Sequence, residues 1–359
     1  MLLGGKTAIA VSLTEETTGA VVSRMAALAP VADLFEVRAD FVRDLDLATL
    51  LKARVKPILF TCRPESEGGR FPDRDHLARR RLLSEAVGRG FDLVDVEMRA
   101  GFADVVASKA GRGLVLSWHD FEGTPEDLDG IHARMAAQHP DVVKIAVTAR
   151  SVADLGRLLA FAARHAGRGP QLVALAMGPL GVASRILGGR TGAPFTFASP
   201  KSGRETAPGQ LPASVLADTY RVRAISPSTR VYGLLGSDVL RSLSPAIQNP
   251  AFAERGEDAV YVPLQAESMA AFASALPALS LSGFSVTRPY KGEILPHLDS
   301  VTPHAAEAGS ANTVVAQDGR LMGLSTDGEG VLVPLRRRTD PAGRTVAILG
   351  AGGAARAAA

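Results

Sequence analysis

From Lys6 to about Arg221, short apolar runs alternate with longer amphipathic, alanine-rich stretches, the pattern of parallel strands joined by helices. Eight runs read as strands, at 7–13, 34–40, 57–63, 93–98, 113–120, 142–148, 171–178 and 194–199. That number in this length predicts a TIM-type (β/α)8 barrel. A helix-like stretch at 213–225 follows, and SPSTR at 226–230 reads as a linker. A new strand opens at Val231 and leads a mixed α/β region to about Leu335. RRRTDPAG then forms a second linker, and TVAILGAGGAARAAA reads as a strand, a glycine turn and the start of a helix. The expected domains are therefore 1–225, 231–335 and 344–359.

The first six of these runs carry polar residues toward their C-terminal ends: Ser12, then Glu36, Arg38 and Asp40, then Thr61 and Arg63, then Asp95 and Glu97, then Ser117 and His119, then Lys144. Within each run the spacing is two, so these side chains share one face of their strand. In a barrel they converge at the C-terminal mouth, where such folds carry their sites. Lys144 interrupts the apolar run DVVKIAV. Burial lowers a lysine pKa, and a neutral amine attacks carbonyl carbon, so a Schiff base is one reading. An edge-strand lysine that snorkels to water is the other. His119 suits general acid and base work, or a hydrogen-bonded place in the core. Arg38, Arg63 and Arg185 offer forks that match a carboxylate, with Glu36 and Glu67 to orient them; each also fits a structural salt bridge. The Gly/Pro-punctuated loop 201–212 is placed to cover the mouth.

Composition narrows the classes. The chain is 46% hydrophobic and 21% charged, and its net charge of +3 is small and unclustered apart from arginines at 79–81 and 336–338, so no nucleic-acid partner is expected. Lysine is scarce beside arginine, which gives a lysine inside an apolar strand more weight. The single cysteine, Cys62, excludes an intrachain disulfide framework and suits a reducing cytoplasm. MLLGGKTAIAVSL lacks the build of a secretion leader, and no apolar run reaches about 18 residues, so neither export nor a membrane partner is expected.

The motifs EVRAD, FTCRPESEGG, DVE, SWHDF, VKIAV, MGPLGVASR and APGQ, between Lys6 and about Pro212, together resemble the type I 3-dehydroquinate dehydratases. The resemblance implies that Lys144 forms an imine with the ketone of 3-dehydroquinate and that His119 shuttles the proton. It implies substrate-binding places for Ser12, Glu36, Arg38, Arg63, Glu67, Glu97, Arg185, Thr206 and Gln210, and neither metal nor cofactor. Thr206 stands where the family usually has serine, and the hydroxyl is kept.

The stretches GSDVLRSLSPAIQNPAF, GFSVTRPYKGEI, AGSANTVV and GLSTDGEGV resemble the substrate-binding domain of shikimate dehydrogenases. By that resemblance Lys291 and Asp327 form a catalytic pair, Ser242 and Ser244 hold a carboxylate, and Thr287 and Asn312 bind hydroxyls of 3-dehydroshikimate or shikimate. Arg241, Gln248, Ser285 and Ser325 depart from the family's usual residues, so substrate preference is less closely implied. Gly350, Gly352, Gly353 and Ala354 fit the dinucleotide turn of a Rossmann domain, with NADP as cofactor. The remaining strands of such a domain are not among these residues, so the second activity is expected to be inefficient in this chain. The whole resembles bifunctional dehydratase and dehydrogenase proteins of aromatic biosynthesis and is compatible with a homodimer. Two rival readings are another Schiff-base lyase barrel, such as a class I aldolase, and a ligand sensor that has lost catalysis.

Overall fold

The computed structural model describes residues 5–108 and 113–359, so the first four residues of the segment weighed as a leader lie outside it. All eight runs expected as strands before residue 200 are strands: β1 Ala8–Leu13, β2 Leu34–Arg38, β3 Ile58–Thr61, β4 Leu93–Glu97, β5 Gly113–Asp120, β6 Val142–Thr148, β7 Gln171–Met177 and β8 Phe195–Ser199. They pair in parallel, and β1 to β4 are buried at every position, as expected of strands covered on both faces. Three of the intervening helices begin on side-chain caps. Thr17 accepts from the backbone of Ala20, Asp46 from Ala48 and Thr49, and Asp127 from Gly130, each satisfying an N–H that the helix itself cannot bond.

One core cluster draws on every one of these strands: Ala8 and Ala10, Leu34, Leu59, Leu93, Val115, Val142, Val173 and Leu175, Phe195 and Phe197. The sheet is therefore curled, since its far members share one interior. Two residues beyond these apolar positions, on the same faces, stand Ser12, Glu36, Thr61, Asp95, Ser117 and Lys144. The period of two thus places polar groups directly above the apolar layer.

The hydrogen-bonded ladder runs β7-β6-β5-β4-β3-β2-β1-β8-β9, an open parallel series of nine strands. A β7–β8 ladder, which would close an eight-stranded barrel, is not among the pairings of the described residues, and the loop after β8 returns to seat Leu211–Pro212 as β9 beside Ala198 and Ser199.

The chain divides into two compact units, one of Met1–Arg150 with Arg157–Thr229 and a second of Ser151–Gly156 with Arg230–Ala359. In the second, β10 Arg230–Gly236, β11 Ala259–Gln265, β12 Leu281–Val286, β13 Ser300–Val301, β14 Thr313–Gln317 and β15 Arg320–Leu324 form a mixed sheet in the order β11-β10-β12-β14-β15-β13. Helix Ser244–Glu254 is tied to β11 by the buried Asn249, whose Nδ2 donates to Tyr261 O at 2.9 Å while its Oδ1 accepts from Tyr261 N at 2.7 Å. Leu234, Val239 and Tyr261 form the core beneath it.

The strand expected at the start of TVAILG is not formed. Residues 345–349 have no ladder partner, and Val346 and Leu349 are exposed, because an extended segment becomes a strand only when a neighbour takes its N–H and C=O groups. The glycine turn does enter a helix, Gly353–Ala358, held by Arg356 Nε to Ala308 O at 2.7 Å and by burial of Ala357. Among the described residues no helix is long and apolar enough to cross a membrane.

Phe195 is 1% exposed and packs edge-on against Phe197 in the shared core. Phe195→Ala should cost about 3–5 kcal/mol, the range for truncating a buried aromatic residue. Trp118 is the sole tryptophan and lies in the first unit, so urea unfolding followed by its fluorescence reads that unit alone.

Candidate active site

The polar ends of the curled sheet meet in a recess lined by Ser12, Glu36, Arg38, Arg63, Glu67, His119, Lys144, Arg185, Thr206 and Gln210, with Phe121, Leu175, Met177 and Phe197 among its apolar walls. These ten polar residues were all expected at the site. Glu97, expected with them, does not line this recess. Its Oε1 accepts from Arg63 Nη1 at 2.6 Å and its Oε2 from Arg79 Nη1 at 2.5 Å, and it faces a second recess with Arg79 and Arg99.

Asp95, on β4, is fully buried. Its Oδ2 accepts from Lys144 Nζ at 3.2 Å, and its Oδ1 accepts from Ser117 Oγ at 2.6 Å and faces Arg63 Nη2 at 2.9 Å. Burial opposes ionisation of Asp95, but Arg63 and then Lys144 overcome it and hold the carboxyl well below the usual range. Sequence reasoning named Asp95 in the polar pattern yet not among the site residues. Its spacing of two from Glu97 was visible, but which of the two would meet the lysine was not.

Lys144 is 6% exposed, and its ammonium lies 4.4 Å from the centre of the Phe197 ring. Burial lowers its pKa, while Asp95 opposes the fall. His119 is buried and its Nδ1 lies 3.0 Å from Glu67 Oε2. Burial, then the Arg63 and Lys144 charges, push the imidazole well below its ordinary value, so it is neutral at physiological pH. Burial raises the Glu67 carboxyl, against the pull of Arg63 and Arg99.

The arginines differ in what they already hold. Arg38 is spent on Asp40, Nε to Oδ1 at 2.8 Å and Nη2 to Oδ2 at 2.7 Å, the latter carboxylate lying in the turn Ala39–Phe41 just past β2. Arg185, on helix Val182–Leu187, is 2% exposed; its Nη2 donates to Pro208 O at 3.1 Å and its Nε has no partner among the described residues. Burial alone lowers it to about 10, so it remains a cation at neutral pH. Such a group needs an anion. Glu36 accepts from Ser12 Oγ at 2.5 Å and Thr61 Oγ1 at 3.1 Å, while Gln210 accepts from Thr206 N at 2.8 Å and donates to Ser12 at 3.4 Å, so the loop after β8 is stitched to β1. Among the described residues no group of three or more His, Cys, Asp or Glu is placed to hold a metal.

In the second unit Lys291 Nζ meets Asp327 Oδ2 at 2.5 Å, and Asn312 Nδ2 donates to Asp327 Oδ1 at 2.9 Å and to Thr326 Oγ1 at 2.9 Å. Ser242 and Ser244 form a separate local pair, Oγ to Oγ at 3.0 Å, at the first turn of helix Ser244–Glu254. Thr287 follows β12 directly, with its N–H on Leu235 O at 2.8 Å. All of these lie past the carboxyl ends of β10, β12 and β15 or just before β14, whose first residue pairs with Ser285 of β12.

The type I 3-dehydroquinase family matches residues 9–227, most of the chain. The chain belongs to that family. Residues 234–314 match the shikimate dehydrogenase substrate binding domain. Among curated relatives, the chloroplastic bifunctional 3-dehydroquinate dehydratase/shikimate dehydrogenase of Arabidopsis thaliana is 36% identical over 91% of this chain and 58% of its own length. The shikimate dehydrogenase (NADP(+)) of Citrifermentans bemidjiense is 49% identical over 37% of this chain and 48% of its own. The chain thus spans about half the length of these two relatives. The crystal structure of 3-dehydroquinate dehydratase from Geobacillus kaustophilus HTA426 shares 32% identity with a TM-score of 0.56, covering 61% of this chain and 91% of that one.

The type I dehydroquinase-like recess makes a linkage that can be measured. Because the folded pKa of His119 lies well below its unfolded value near 6.5, the unfolded chain binds more protons there and stability falls as pH drops below about 6.5. His119→Gln should lose less thermal stability than the parent between about pH 7 and pH 5, read as the difference in Tm across that window.

Proposed function

We propose that the first unit dehydrates 3-dehydroquinate to 3-dehydroshikimate through a Schiff base on Lys144, with catalytic roles for Lys144 and His119. The observation that carries this reading is the buried Lys144 facing the recess beside a neutral, buried His119. Burial favours the free amine of Lys144, which attacks the substrate ketone; water leaves and an iminium forms. That cation acidifies the neighbouring C–H. Glu67, when ionised, accepts from Nδ1–H of His119, so Nε2 is the basic nitrogen that takes the proton. The enamine then expels the β-hydroxyl, protonated by the same imidazole, as water, and hydrolysis of the imine returns the amine. Arg185 is the group best suited to the substrate carboxylate because it is a buried cation with an open Nε. Ser12, Glu36, Arg38, Arg63, Thr206 and Gln210 would orient the ring and its hydroxyls, and Glu97 would act by holding Arg63.

The closed (β/α)8 barrel belongs to the same reading: the core shared by β7 and β8 supports it, with β9 tucked at the seam. The proposed domains are 1–225, 231–335 and 344–359, in accord with family matches to 9–227 and 234–314. For the second we propose reduction of 3-dehydroshikimate to shikimate, with Lys291 and Asp327 relaying the proton, Ser242 and Ser244 on the carboxylate, and Thr287 and Asn312 on hydroxyls. Gly350 and Gly352, where an added Cβ would meet open space, fit the approach of a dinucleotide, as do Gly353 and Ala354 at the helix start. NADPH would supply the hydride there. The one cysteine, Cys62, is buried and free, and burial pushes its thiol pKa up, in keeping with a cytoplasmic protein.

Borohydride added during turnover of 3-dehydroquinate should leave the reduced adduct's mass on the peptide bearing Lys144; adduct on another lysine, or none while turnover continues, would refute the assignment. His119→Ala should lower kcat about 10²–10⁴-fold, the range for losing a general acid–base group, with the fold retained. A stability loss with kcat per folded molecule preserved would return His119 to a core role.

A further inference from the structure

The carboxyl of Glu67 spans two recesses. Its Oε2 meets His119 in the catalytic one, and its Oε1 faces Arg99 Nη1 at 3.6 Å in the second, which is lined by Arg79, Glu97, His76 and Asp73 among others. Arg99 does not line the catalytic recess. It follows β4 in the turn Met98–Ala100, and its guanidinium lies 5.1 Å from the centre of the Trp118 ring on β5. Glu97, the last residue of β4, pairs in register with Ser117, and Arg99 lies two residues past it in the turn. We propose that Arg99 is a positioning residue for the dehydratase reaction: from outside the catalytic recess it keeps Glu67 ionised, which fixes the proton of neutral His119 on Nδ1 and leaves Nε2 as the base.

Charges from several elements enter this balance. Arg63 from the segment after β3 and Arg99 favour the carboxylate, Glu97 and Asp95 from β4 oppose it, and burial opposes it most. Asp73, His76 and Arg79 face it across the second recess. Arg63 is already committed to Asp95 and Glu97, whereas Arg99 has half its side chain in water and forms its ion pair with Glu67. If Glu67 takes a proton, its O–H donates to Nδ1, the imidazole switches to the Nε2–H tautomer and the base is lost. Glu67 and His119 titrate as a couple, and removing a nearby cation makes protonation of either easier, so both changes act in the same direction.

This inference rests on the dehydratase reading, and the test separates the two. In Arg99→Gln the acid limb of kcat/KM for 3-dehydroquinate should move to higher pH by about half a unit, the size suited to a half-exposed ion pair. KM should stay within about twofold on the plateau. Arg99→Lys should restore the limb, and 1 M salt should move the parent's limb toward that of Arg99→Gln by screening. In the unliganded protein, ¹⁵N shifts of the His119 ring should show the Nδ1–H tautomer persisting to lower pH in the parent than in Arg99→Gln. An unmoved limb in an active parent, or a uniform loss of rate at every pH, would overturn the role of Arg99. A parent without dehydratase turnover would overturn the function proposed for the first unit, and the tautomer comparison would still decide for or against Arg99.

Discussion

The first unit depends on a carboxylate that cannot be left alone. Asp95 is fully buried, and an unpaired charge there would cost several kcal/mol, so its partners must be held in place by the rest of the chain. Arg63 meets Asp95 and also Glu97, and Glu97 meets Arg79 from helix His76–Arg89, whose Nη1 also donates to the Cys62 carbonyl. A strand end, the segment after β3 and a helix are thereby locked to one another by charge-assisted hydrogen bonds. Gly69 belongs to the same lock. A Cβ there would fall 2.0 Å from Arg63 O, so the loop carrying Glu67 packs on the backbone of Arg63 in a way no other residue allows.

The same burial acts in opposite senses on different groups. It disfavours charge on Lys144 and on His119, which suits a nucleophilic amine and a neutral base, and it also depresses Arg185 without removing its charge. Arg38, Arg63 and Arg79 are each matched by a carboxylate, so the open Nε of Arg185 marks the place in the recess with unspent positive charge. In the proposed reading such a site would distinguish a substrate by its anion first and by its hydroxyls second, the latter through side chains such as Glu36 and Gln210 that already hold partners of their own.

Much of this was legible along the chain because a strand writes its two faces with a period of two. The apolar residues at 8, 34, 59, 93, 115 and 142 and the polar ones two positions or more beyond them lie in one line along each strand. The short strand β9 was not legible, since Leu211–Pro212 owes its pairing to the free edge of β8 rather than to its own propensity. TVAIL failed in the converse way: its β-branched pattern reads as a strand, and no neighbour completes the ladder. Glu97 and Asp95 look alike in DVE, yet only one is adjacent to Lys144. Arg99 carries no signal at all, because its contact with Glu67 crosses from the end of β4 to the loop after β3.

The sequence by itself determined the order of strands and helices, the face on which each polar group stands, and the isolation of a lysine within an apolar run. These are local properties, set by backbone geometry and by side chains a few residues apart. Only the tertiary structure decided which charges neutralise each other, that Arg185 keeps a donor free, and that Glu67 reaches His119 with one oxygen and Arg99 with the other. Ion pairing and desolvation depend on distances between residues far apart in the chain, and curling the sheet brings those residues together.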